Sequence, residues 1–195
     1  MKIKSNKREI KEIDKNIIYM TQPSPVVLVS TINKDGVKNL APFGFFMNCS
    51  SNPPMLALGL SPKSDTYKNI IETKEFVVSI PNKDIVKQVY ECGNKYLPEE
   101  DEFDATGLTS YKSNNVKANR VMECSVNIDC VLENYIESGN HYVVIGKIVG
   151  VDIEENIYSE DKVNSRLNVP RMYHITGNKF LIDNEFREVE VKSNE

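Results

Sequence analysis

Residues 26–32 are almost all aliphatic or β-branched, and Asn33-Lys34-Asp35-Gly36 follows them, so the pattern predicts a buried strand ending in a hairpin turn. A return strand is predicted over 37–48. Pro53-Pro54 then forbids regular pairing until a third strand resumes over 55–60. Next, Tyr67, Ile70 and Ile71 fall at helical spacing behind Ser64, Asp65 and Thr66, three possible N-caps, which predicts a short helix over 64–73. A strand follows over 76–80. Pro81-Asn82 opens a second helix whose Ile85, Val86, Val89 and Tyr90 share one face before Gly93 stops it. Residues 94–119 are polar and irregular, and predict loop with one helical turn within 99–104.

Farther along, 121–134 alternates in part, Gly139-Asn140 makes a turn and 142–153 is β-prone, a hairpin of long strands. Residues 172–175 and 179–182 form a shorter hairpin around Gly177-Asn178, and 184–195 read as a polar tail. No internal repeat or low-complexity linker divides the chain. A length of 195 residues suits one domain, with a core over about 20–182 and polar extensions at both ends. The fold class predicted is mainly β with inserted helices, its antiparallel sheet large enough to close into a barrel.

Composition narrows the function more than the fold. With 24 basic against 28 acidic side chains the net charge is −4, which offers no broad cationic field to nucleic acid or anionic lipid. The opening MKIKSNKREIKEIDK is too charged for a signal peptide, and no apolar run reaches membrane-spanning length, so a cytoplasmic protein is expected. Cys49, Cys92, Cys124 and Cys130 form no CxxC pair and read as reduced thiols. Together with the absence of HxxxH, HxH or a Cys/His cluster, this predicts no metal site. No serine or cysteine stands in a nucleophile motif, and the paired carboxylates Glu99-Glu100, Glu154-Glu155 and Glu160-Asp161 lie in polar, solvated surroundings.

Two segments hold what chemistry remains. NLAPFGFFMNCSSNPP, residues 39–54, joins aromatic surface to the neutral donors and acceptors of Asn48, Ser50, Ser51 and Asn52. SPKSDTYKNI, residues 61–70, places Lys63 and Lys68 around a helix start, where the macrodipole disfavours cations unless an anion offsets them. Read separately, these are barrel core and an ordinary capped helix. Read together, they suit a ligand with a planar ring at one end and a phosphate at the other, and neutral amides suit a redox ring whose charge changes on reduction.

The sequence resembles the flavin reductase-like family, the FMN-binding split-barrel proteins that include flavoredoxin and NAD(P)H:flavin oxidoreductases. The resemblance is carried by SPVVLVSTINKDGVKNLAPFGFFMNCSSNPP at 24–54, SDTYKNIIETKEFVVSI at 64–80, FDATGL at 103–108, VKANRVMECSVNIDCVLEN at 116–134 and GNHYVVIGKIVGV at 139–151, in the family's order. It implies an antiparallel, Greek-key-like split β-barrel, a homodimer with FMN held near the subunit interface, and NAD(P)H as electron donor. It implies flavin contacts at Asn39, Ala41, Pro42, Phe43, Asn48, Cys49, Ser50 and Ser51. A phosphate end is implied at Lys63, Ser64, Asp65, Thr66 and Asn69, and a nicotinamide-side role at His141.

This chain departs from the family's pattern at three places. Ser64 stands where a lysine usually precedes the Asp-Thr pair, Asn140 replaces the aspartate of a Gly-Asp-His element, and Asn119 replaces a proline. The leading expectation is hydride transfer from NAD(P)H to the flavin and onward electron transfer. The loss of the aspartate keeps open a flavoredoxin-like electron carrier reduced by a partner protein, and a flavin-binding protein without turnover is a third reading.

Overall fold

The computed structural model describes residues 24–160 and 168–182. The two polar extensions expected from the sequence lie outside the described residues.

The architecture follows from one strand that buries both faces. In β2 (Val27–Ile32), Val27 and Val29 point to one side and Leu28 to the other, and all three are sealed from solvent. Val27 and Val29 meet Leu56, Leu58 and Leu60 of β5 (Pro54–Leu60), Phe76 and Val78 of β6 (Glu75–Ile80) and Ile70 of helix α1 (Asp65–Thr73). Leu28 packs instead with Leu40 of β3 (Lys38–Phe43), Val89 of helix α2 (Val86–Glu91) and Phe103 of helix α3 (Glu102–Thr106). The sheet therefore has one core inside its curl and a second under the helices.

With β4 (Phe46–Ser51), β9 (Val126–Ser138) and β10 (His141–Ile153), these strands form a seven-stranded sheet in the order β3-β2-β6-β9-β10-β5-β4. Every pairing in it is antiparallel. Its two edge strands, β3 and β4, are consecutive in the chain and separated only by Gly44 and Phe45. Laid flat, six gaps of about 4.8 Å would put those edges about 29 Å apart. Three Cα–Cα steps reach at most about 11 Å, so the sheet must curl until its edges meet. The result is an antiparallel barrel, mainly β with inserted helices, split between β3 and β4.

The corner is tightly fitted. A Cβ on Gly44 would lie 2.9 Å from the Cβ of Ser24, and the Gly59 amide donates to the Phe45 carbonyl at 2.8 Å. Beside it sits a three-stranded sheet of β1 (Ser24–Pro25), β11 (Met172–Thr176) and β12 (Lys179–Ile182), in the order β1-β11-β12.

Several expectations need correction. The single strand predicted over 37–48 is two strands, because the apolar pattern runs unbroken through the corner while Gly44 turns the backbone. Pro54 opens β5 opposite Ser51, since a strand's first residue needs no ladder N–H; the Asn52–Pro53 bond in this turn is cis. The loop predicted over 94–119 has its expected helical turn shifted a few residues later, as α3, capped by the Asp101 carboxylate on Phe103 N at 2.9 Å and closed by Gly107 at φ 72. It also holds β7 (Ser110–Lys112), paired with β8 (Asn119–Val121). Tyr90, expected on the buried face of its helix, is 48% exposed.

The β7–β8 segment is fastened to the barrel by charge as well as by the apolar contacts of Val116 and Ala118 with Val77 and of Val121 with the core beneath the helices. Arg120 grips Asp129 of β9 with Nε on Oδ1 at 3.0 Å and Nη2 on Oδ2 at 2.6 Å, and Ser113 and Asn115 donate to the same carboxylate at 2.8 Å each. Tyr111 donates to Asp152 of β10. Burial pushes the Asp129 carboxyl up, but the bonds from Arg120, Asn115 and Ser113 outweigh it and hold the group below its ordinary value. A carboxyl lowered on folding adds stability that is present above its unfolded value near pH ~4 and is lost as pH falls through its lower folded value. Arg120→Met removes the counter-charge of a buried carboxylate, leaving it only the bonds from Ser113 and Asn115, and should cost about 3–5 kcal/mol in urea unfolding at pH 7. The difference from the native chain should shrink below pH ~4; a constant difference down to pH 3 would contradict the assignment.

Candidate functional site

The barrel corner and the small sheet enclose a cavity of about 910 Å³. Pro42, Phe43, Gly44 and Phe45 of the corner line it, with Ser61 and Ser64 before α1, Tyr90, Gly93 and Asn94 at the end of α2, and His141 at the start of β10. The small sheet adds Ser24 from β1 and His174, Ile175, Thr176, Gly177 and Phe180 from the β11–β12 hairpin. Among the described residues no Asp, Glu, Lys or Arg lines this cavity. Its walls are aromatic rings, glycine backbone, hydroxyls, an amide and two imidazoles.

The entry to α1 has the chemistry of an anion site. Ser64 Oγ accepts from the Tyr67 amide at 3.2 Å, and its carbonyl accepts from the Lys68 amide at 3.3 Å. The Asp65 and Thr66 amides are the first-turn donors left over, at the positive end of the helix dipole. Lys68 binds Asp65 at 2.6 Å, whereas Lys63 is exposed and has no acidic partner among the described residues. Of the two lysines, Lys63 is therefore the cation free to meet an anion.

The other side chains expected at the phosphate end are committed inward. Asn39 Oδ1 accepts from the hydroxyls of Thr66 at 2.8 Å and Thr31 at 3.2 Å, and Asn69 Nδ2 donates to Thr31 Oγ1 at 3.0 Å. Asn39 Nδ2 donates to Glu102 Oε1 at 2.7 Å, and the other Glu102 oxygen accepts from the Leu40 amide at 3.2 Å. Thr66 and Asn69 are buried. This network joins β2, β3, α1 and α3, and Lys38 adds a bond to Asp101 at 2.9 Å; Lys38, Asn39, Asn69 and Glu102 line a second, polar cleft of about 260 Å³, separate from the corner cavity. Burial raises the Glu102 carboxyl above its ordinary value, with bonds from its own backbone amide, Leu40 and Asn39 acting in opposition. Glu102 was not singled out from sequence; only its place at the first position of a capped helix hinted at it.

Of the residues expected at the flavin, Pro42 and Phe43 line the cavity, where they meet Ser64 from the expected phosphate end and His141 from the expected nicotinamide side. Ala41 pairs with Val29 in the ladder and is absent from the lining. Asn48, Cys49 and Ser51 are exposed on β4, an edge of the seven-stranded sheet, and Ser50 Oγ donates to the Pro53 carbonyl at 2.6 Å. His141 packs against Phe45 with ring centroids 5.6 Å apart, and its Nδ1 lies 2.7 Å from Asn140 Oδ1. The structure adds Phe45, Tyr90 and His174 to the lining; Tyr90 and His174 lay in segments read only as helix face and strand.

The family model for the flavin reductase like domain matches residues 19–177. An uncharacterized protein of Aquifex aeolicus is 35% identical over 162 residues, covering 78% of this chain and 83% of the relative. The crystal structure of nitrilotriacetate monooxygenase component B from Bacillus cereus superposes with a TM-score of 0.86 at 25% identity, over 95% of this chain and all (100%) of that one. Flavoredoxin of Desulfovibrio vulgaris (Miyazaki F) superposes with a TM-score of 0.77 at 26% identity over 100% of both chains. Among the described residues, no helix is long and apolar enough to cross a membrane, and no cluster of three or more His, Cys, Asp or Glu could hold a metal ion.

The inward commitment of Thr66 separates scaffold from ligand contact. Thr66→Val should cost about 0.5–1.5 kcal/mol in urea unfolding, because the buried Thr66 hydroxyl gives up its bond to Asn39 Oδ1, which keeps only the one from Thr31. Anion affinity at the α1 entry should stay within about twofold, since less than ~0.5 kcal/mol separates such values. An unchanged stability with a large loss of affinity would show that this hydroxyl faces the ligand.

Proposed function

Because the chain belongs to the flavin reductase-like domain family, we propose that it is an FMN-dependent oxidoreductase that takes hydride from NADH or NADPH and passes electrons to a further acceptor. The observation that carries this reading is the uncharged cavity, which brings Phe43, Phe45, Ser64 and His141 together beside the entry to α1. Its volume lies within the usual range for cofactor sites, roughly 300–1,000 Å³. FMN fits its donor set: aromatic and backbone surface for a planar ring, then the Asp65 and Thr66 amides and Lys63 for a phosphate. The chemistry the flavin supplies when bound is the acceptance of a hydride and the release of two electrons.

The chain's own part is placement. The Phe43–Phe45 corner excludes water from the ring site, and uncharged walls let the charge of a bound ring change without opposing a fixed ion. His141 donates from Nδ1 to Asn140 Oδ1, which leaves Nε2 as an acceptor for a nicotinamide carboxamide. The orienting partner is an amide where a carboxylate was expected, so it aligns the ring without adding negative charge.

A second copy of the chain completes the proposal. Asn48, Cys49 and Ser51 lie outside the cavity on an exposed edge strand beside Met47, itself 59% exposed, and packing of two β4 regions would bury them next to a flavin. The proposed setting is the cytoplasm, consistent with four free cysteines. The second reading, a carrier reduced by a partner protein, is favoured by Asn140 and by the likeness to flavoredoxin.

Protein supplied with FMN should turn yellow, and one of NADH or NADPH should bleach it under anaerobic conditions. Bound FMN that reduced ferredoxin bleaches but both nicotinamides leave oxidised would establish the second reading; no FMN binding would end both. Lys63→Ala should weaken FMN binding about 10–150-fold, the value of one charged hydrogen bond, while Lys68→Ala changes it little. Light scattering should give a dimer that Met47→Glu dissociates; a native monomer that binds FMN fully would contradict the shared site.

A further inference from the structure

The chain has two histidines, and both line the same cavity. His141 arrives from the barrel. His174 arrives from β11 in the small sheet, where it pairs with Ser24 of β1.

The chemistry of the His174 ring is set by what holds it. Its Nε2 lies 2.9 Å from the Gly177 carbonyl, and a carbonyl oxygen only accepts, so this nitrogen carries the proton. Phe180 packs against the ring, with centroids 5.4 Å apart and planes at 60°. In the neutral imidazole Nδ1 is then an acceptor, and it has no hydrogen-bond partner among the described residues. His141 is held in the opposite tautomer, with Nδ1 committed to Asn140 and Nε2 without a protein partner. A histidine that merely closed the β11–β12 turn would need only Nε2, and Gly177 at φ 53 already makes that turn. The ring instead forms cavity wall, beside Thr176 and the 41%-exposed Ile175.

The cavity lies near the upper end of the range for single-ligand pockets, which leaves room for a second planar molecule beside a first. We propose that His174 is a specificity-determining residue for that second ligand, accepting through Nδ1 a hydrogen bond from an N–H or O–H group on a planar organic molecule. The β11–β12 hairpin thereby selects the second ligand, while the corner and the α1 entry hold the first. The identity of the first ligand rests on the flavin reading above; the role of His174 does not.

The test uses full-length protein with and without FMN, and phenol and anisole as probes, which share a ring and differ in one donor. The anisole-to-phenol ratio of dissociation constants should fall about 3–10-fold in His174→Phe, the value of one neutral hydrogen bond. That variant keeps a ring for Phe180 to pack against. An unchanged ratio would overturn the proposal. Nitrogen-15 spectra of the native chain supply a readout independent of the variant's folding. They should show one histidine protonated at Nδ1 and one at Nε2, and phenol should move the Nδ1 resonance of the second. Phenol that moves neither His174 nitrogen would also overturn it. FMN that fails to bind while the probes behave as expected would remove the flavin reading and leave His174 its role.

Discussion

The two-residue link between β3 and β4 is the constraint on which the rest of the structure depends. Joining opposite edges of a seven-stranded sheet forces the sheet to curl, and the curl divides the apolar side chains into an inner core and one beneath the helices. Gly44 allows the link to press on Ser24, and the Gly59 amide ties Phe45 to β5. The same closure turns Phe43 and Phe45 into cavity wall. Site and barrel are thus made by the same few residues, which is why NLAPFGFFMNCSSNPP reads as core and as ligand surface at once.

Around that corner, polar groups are sorted by whether their bonds are already satisfied. Asn39, Thr66 and Asn69 spend their hydrogen bonds on one another, on Thr31 and on Glu102, fixing α1 and α3 to β2 and β3. Groups left open gather at the cavity and the α1 entry: the Asp65 and Thr66 amides, Lys63, and one nitrogen of each histidine. A buried polar group without a partner costs on the order of 1–3 kcal/mol, and among the described residues Ser30 Oγ on β2 is the side-chain atom left in that state. The Arg120–Asp129 pair acts elsewhere, holding the β7–β8 segment on the outside of β9.

Strand and helix positions were legible wherever period and caps agreed. Ser64 caps α1 as its side chain predicts, and Gly139-Asn140 turns the long hairpin between Ser138 and His141. The break at Gly44 was hidden because hydrophobic pattern registers burial, not chain direction. Glu102 was hidden because a carboxylate in an acidic loop reads as solvated, and only the long-range bonds from Asn39 and Leu40 make it internal. Residues 39–43 and 64–69 stood out in the sequence, but where each side chain goes depends on which face it presents. That is fixed by pairing across the sheet, which the local sequence does not contain. His174 carried no local signal; the separation of 33 positions from His141 is bridged only by the small sheet that β1 and β11 build.

The central claim is that the corner cavity and the α1 entry together hold the flavin. Amide hydrogen exchange with and without FMN tests it most directly, because it locates the ligand without presuming activity. Protection should concentrate at residues 42–45 and 61–66 and at the β11–β12 hairpin. Protection confined instead to the polar cleft of about 260 Å³ lined by Lys34, Lys38 and Glu100 would contradict the claim.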